Sequence, residues 1–110
     1  MVLYILGDGV SIETEPRKIK FNLPNSEYIK VDSDVFLKMV PKINEKVGEI
    51  ILHTDIAEYE TNELTVTVAR LASNATPILI FKRDEDSFQI TLGDWVEIIN
   101  SIPSIRRNVQ

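Results

Sequence analysis

The feature that most constrains this chain is a pattern that occurs in it twice. Residues 77–108 read PILIFKRDEDSFQITLGDWVEIINSIPSIRRN: an apolar strand over Ile78–Phe81, a charged turn over Lys82–Ser87, a second strand over Phe88–Leu92, then a helix opening at Asp94. Residues 17–47, RKIKFNLPNSEYIKVDSDVFLKMVPKINEKV, follow the same plan of strand, polar turn, strand, acidic cap, helix and proline. Phe21 and Phe81 are 60 residues apart, and so are Tyr28 and Phe88. Ile29 and Ile90 are 61 apart, which places a one-residue β-bulge in the second copy, and Pro41 and Pro103 are 62 apart. With Val2–Thr14 set against Glu49–Leu71, the chain reads as two copies of four strands and a helix. The expectation is an α+β fold: a duplicated ββββα unit in one domain, antiparallel sheets packed with helices, unit one over residues 1–47 and unit two over 48–110.

Side-chain periodicity fills in the elements. Successive side chains of a strand point to opposite faces, so Ile19, Phe21, Ile29 and Val31 turn to a core while Lys18, Lys20, Tyr28 and Lys30 turn away from it. Asp32-Ser33-Asp34 suits a helix N-terminus, where short polar side chains accept from free N–H groups and negative charge suits the dipole. The stripe Phe36, Met39, Val40, Ile43, Val47 has helical spacing. Pro41 inside it predicts a kink or two short helices, with Gly48 as the end. Glu49–Tyr59 and Leu64–Leu71 then read as strands, and Ser73–Pro77 as a turn. Asp94 and Glu97 resemble a capping box that opens a second stripe of Trp95, Ile98, Ile99 and Ile102, interrupted at Pro103. The run Ile78–Phe81 is apolar on both faces, which predicts a second subunit, a homodimer, with Ile78 and Ile80 at its interface.

Composition narrows the classes of function. At 110 residues, 44% hydrophobic and 26% charged, the chain is sized for a single core. Its apolar runs fall far short of the roughly 20 residues of a membrane span, and MVLYILGDG has no basic lead or cleavage site. No membrane is therefore expected. The absence of cysteine suits the cytoplasm, and the Ile, Asn, Lys and Glu bias suits an AT-rich genome such as a virus's. A net charge of −5 opposes non-specific nucleic-acid binding, so any such role needs a local basic face.

Four antiparallel strands and a helix, duplicated, resemble the superfamily of Pur-alpha repeats, Whirly proteins and the positive cofactor four coactivators. The closest match is FQITLGDWVEIINSI, Phe88 to Ile102, similar to the coactivators' last strand and tryptophan-bearing helix. That resemblance implies intertwined sheets with helices between them, and single-stranded DNA or RNA binding on a basic, aromatic-bearing sheet face. The chain departs from it in its acidic balance and in having no Lys/Arg-rich tail. A circularly shifted sliding-clamp domain gives a similar order of elements.

Candidate residues follow. Lys18, Lys20, Tyr28 and Lys30 join positive charge to an aromatic ring, as backbone contact with base stacking requires; Arg70 and Lys82 complete the candidate set. The plain alternative is a solvated sheet face with lysines guarding an edge. Gly7-Asp8-Gly9 lacks the spacing and lysine of a phosphate loop. His53, with Asp55 two residues on, has too few companion donors for a metal. Catalytic residues, cofactor and metal are all expected to be absent. The reading is a non-enzymatic single-stranded nucleic-acid binder or transcription or replication accessory. Its alternative is an acidic module, of a kind that viruses encode, that contacts a protein partner and no nucleic acid.

Overall fold

The computed structural model describes residues 3–7, 9–52, 56–70, 72 and 75–110. Alternating sequences form strands here because they can bury one face and wet the other. Leu3–Ile5 (β1), Ser11–Glu15 (β2), Lys18–Asn22 (β3) and Tyr28–Asp32 (β4) make one four-stranded antiparallel sheet. Ile56–Glu60 (β5), Thr65–Ala69 (β6), Ile78–Arg83 (β7) and Asp86–Thr91 (β8) make the other. Strands lie beside their chain neighbours in both sheets. Ser33–Leu52 (α1) follows the first sheet, and Leu92–Asn100 (α2) and Ile102–Asn108 (α3) follow the second. Gly9 turns β1 into β2 with φ +78°, where a side chain would be strained and an added Cβ would stand 3.2 Å from Pro24.

The helices depart from the sequence expectation in three ways. Pro41 neither breaks α1 nor splits it, and Gly48 does not end it, so Glu49–Leu52 is helix rather than strand. Pro41 is exposed, so the carbonyl it leaves without an N–H partner lies on the side that water reaches. Ile50 extends the buried stripe of Ile43 and Val47 by a further turn. At the second helix the N-cap is Thr91, whose hydroxyl accepts from the Asp94 N–H at 3.1 Å, so the helix starts two residues before Asp94. Asp32 does accept from the Asp34 N–H, at 2.9 Å. Pro103 sits in the first turn of α3, where its missing N–H removes no helical bond. His53, Thr54 and Asp55 and part of the Ser73–Pro77 turn lie outside the described residues.

The register also corrects the alignment of the two halves. Phe21 pairs with Ile29, and Phe81 pairs with Phe88, so Phe88 occupies the place of Ile29 rather than of Tyr28. Tyr28 is 52% exposed while Phe88 is buried. The β7–β8 pairing runs unbroken from Ile78↔Thr91 to Arg83↔Asp86, with no bulge. Its turn is only Asp84-Glu85, whereas five residues, Leu23–Glu27, separate β3 from β4. The length difference therefore resides in the loops. From Ile29 to Pro41 the elements of the halves match in register, with Phe36 in the place of Trp95, after which α1 runs on while α2 ends at Asn100; Pro41 and Pro103 do not correspond.

Both sheets turn their apolar faces into one core. All four phenylalanines and the only tryptophan meet there: Phe21 lies 5.7 Å from Phe36, 5.8 Å from Phe81 and 5.0 Å from Phe88 between ring centroids. Phe81 stacks on Phe88 at 4.9 Å and tilts against Trp95 at 6.4 Å. The Trp95 indole N–H donates to Asn44 Oδ1 at 2.7 Å, tying α2 to α1. Two helices bridge the halves: α1 contacts β5 and β6 as well as β3 and β4, and α3 packs on β2, while α2 stays on β7 and β8. Tyr4 and Ser104 hydroxyls hydrogen-bond, and the Arg17 N–H donates to the Val109 carbonyl at 2.7 Å.

Two outcomes follow for stability. Phe81→Ala should lose about 3–5 kcal/mol in urea unfolding, the range for emptying a buried aromatic site. Pro41→Ala should raise stability, by up to about 3 kcal/mol, because an interior helix position prefers alanine; an unchanged or lower midpoint would contradict the geometry described for α1.

Candidate nucleic-acid interface

The outer face of the first sheet follows from strand parity. Ile12, Ile19, Phe21, Ile29 and Val31 are buried, so their neighbours in sequence point outward. Cross-strand pairing arranges these neighbours in rows. Ser11, Asn22 and Tyr28 form one, Glu13, Lys20 and Lys30 the next, and Glu15, Lys18 and Asp32 the last. The structure thus brings Lys18, Lys20, Tyr28 and Lys30 together on one face.

Tyr28 is the focus of that face. The Lys20 ammonium lies over its ring at 4.6 Å from the centroid and that of Lys30 at 5.8 Å, so two cations share the aromatic ring. Carboxylates from the same rows balance the charge. Lys30 Nζ is 3.1 Å from Glu15 Oε1, and Lys18 Nζ is 4.0 Å from Asp32 Oδ2. Three lysines therefore stand among Glu13, Glu15 and Asp32, and their formal charges cancel. Parity along Ser11–Glu15 was the available sign of these acids.

Beside this face, β4 meets the tip of the second sheet. The Arg83 guanidinium donates to the Lys30 carbonyl, and Glu63 accepts from the Asp32 N–H at 3.2 Å. Polar groups on the outer edge of β4 are thus satisfied by the other sheet, which closes that edge to further strands. An open recess of about 530 Å³ lies along this junction, between Lys18, Tyr28 and Lys30 on one side and Glu63, Arg83 and Asp84 on the other. Arg83 lies near the basic face in the order of elements, whereas Glu63 reaches β4 only because the fold brings the β5–β6 and β7–β8 turns against it.

Arg70 and Lys82 stand elsewhere. Arg70 donates to the Ile50 carbonyl near the C-terminus of α1, where a cation suits the helix dipole. Lys82 lies on the outer face of the second sheet, opposite Thr65 and Ser87. Ile78 and Ile80 share that outer face and are half-buried, while Leu79 and Phe81 are fully buried beneath them. Among the described residues no group of three or more His, Cys, Asp or Glu is placed to hold a metal ion, and no helix is long and apolar enough to cross a membrane.

The partly exposed Lys30–Glu15 pair should couple weakly. A double-mutant cycle through Lys30→Ala and Glu15→Ala is expected to give less than about 1 kcal/mol of coupling in thermal or urea unfolding; a value several times larger would make this pair structural.

Two four-stranded antiparallel sheets with packed helices are what the chain forms, and no protein family, curated protein or solved structure matches it.

Proposed function

We propose that this protein binds single-stranded nucleic acid on the outer face of its first sheet, without a cofactor and without a chemical step. The observation that carries the reading is the half-exposed Tyr28 ring with the Lys20 and Lys30 ammonium groups over it. A base can stack on this ring when the two flexible lysines swing off it to meet neighbouring phosphates. The order of elements, the bridging helices and the resemblance of Phe88–Ile102 to the Pur-alpha, Whirly and coactivator superfamily support the same reading.

Glu13, Glu15 and Asp32 set its character. A phosphate must displace Glu15 from Lys30 before it gains that lysine, so stacking contributes more than charge. Only three lysines contribute, so the logarithm of affinity should fall with the logarithm of salt at a slope of about −2, using roughly −0.7 per neutralised phosphate. A heavily basic binder falls far more steeply.

Fluorescence anisotropy of a labelled single-stranded oligonucleotide, with a duplex control, tests this at two salt concentrations. Tyr28→Ala should weaken binding about tenfold or more, in line with the loss of one stacked base. Glu13→Gln with Glu15→Gln should strengthen it and steepen the salt slope. If no single strand binds at low salt, or if Tyr28→Ala changes nothing, the acidic module with a protein partner becomes the better description.

A further inference from the structure

The outer face of the second sheet differs in kind from that of the first. Its rows are Ile56, Ala69, Ile78 and Thr91; then Glu58, Thr67, Ile80 and Gln89; then Glu60, Thr65, Lys82 and Ser87. The two central strands are unlike in size: β7 presents the half-buried Ile78 and Ile80, and at the same rows β6 has the half-buried Thr67 and a buried Ala69 that forms the floor between its larger neighbours. Charge is also divided, with Glu58 and Glu60 on the β5 margin and Lys82 on β7.

We propose that this face binds a second copy of the chain, about a two-fold axis that runs parallel to the strands between β6 and β7. Rotation about that axis keeps the rows level and lays β7 of one protomer over β6 of the other. Ile78 then meets Ala69 and Ile80 meets Thr67, large side chains over small ones, twice by symmetry. The same rotation carries β5 over β8. Glu58 comes to Gln89, whose amide can donate to it, and Glu60 comes over Ser87, one strand spacing, about 4.8 Å sideways, from the partner's Lys82. An apolar patch over the first two rows of β6 and β7, with opposite charges brought near one another in the third, suits an isologous sheet-on-sheet contact. An unrelated partner has no reason to match both the size step between β6 and β7 and the division of charge. The arrangement leaves both Tyr28 faces open, so it stands independently of the nucleic-acid reading.

Sedimentation velocity from about 1 to 200 μM tests it, since a self-associating chain shifts toward dimer by mass action. The full chain should move from monomer to dimer across this range, and Ile80→Asp should stay monomeric while keeping its far-UV circular dichroism and cooperative melt. Glu60→Lys and Lys82→Glu should each weaken association about tenfold at low salt, and the combined variant should recover most of that loss, as paired interfacial charges do. A chain that stays monomeric to the highest concentration overturns the proposal. So does a dimer that survives Ile80→Asp, or a combined charge swap no better than the single ones.

Discussion

The structure depends on one aromatic cluster. Phe21 from the first sheet touches Phe81 and Phe88 from the second, Phe36 from α1 closes one side, and Trp95 from α2 closes another. An antiparallel sheet with one apolar face must cover it, and here each sheet is covered partly by its own helix and partly by the other half of the molecule. α1 reaches from β3 and β4 across to β5 and β6, α2 lies on β7 and β8, and α3 returns to β2. The Trp95–Asn44 hydrogen bond satisfies the one polar atom that this cluster would otherwise bury.

With the inner faces committed to that common core, the outer faces are free to diverge. The register places Lys18 of the first sheet where Ile78 stands in the second, Lys20 where Ile80 stands, and Lys30 where Gln89 stands. Glu13 and Glu15 correspond in the same way to Thr67 and Ala69. One scaffold thus carries a face dense in compensated charge and a face almost without charge at its centre. Buried positions conserve their character between the halves: Ile19 matches Leu79, Val31 matches Ile90, and Phe36 matches Trp95. Core positions tolerate only apolar exchange, whereas exposed positions can change charge or polarity at little cost to folding.

Much of this was readable from side-chain alternation. The inward set Ile19, Phe21, Ile29 and Val31 and the outward set Lys18, Lys20, Tyr28 and Lys30 follow directly from a period of two. The element boundaries that differ have one cause: the periodic pattern around a punctuation residue outweighs the residue itself. Gly48 and Pro41 suggested stops in α1, yet the helical spacing Ile43, Val47, Ile50 continues past both. The polar run Lys82–Ser87 suggested a long turn, yet cross-strand pairing extends to Arg83 and Asp86. The neutralising carboxylates and the Arg83 and Glu63 contacts needed tertiary information, because they join segments that no local pattern relates.

The bridging helices also govern how this chain can reach its native state. Tyr4 bonds to Ser104, and Arg17 bonds to Val109, contacts that span nearly the whole length of the chain. The strands of the first sheet pair locally in sequence, whereas part of the cover on its apolar face comes from α3, at the far end of the chain. Such distant closures raise the mean sequence separation of contacts and slow the search for the native fold. Neither half, separated from the other, would retain a shielded core, so the folding unit is the whole chain rather than either ββββα segment.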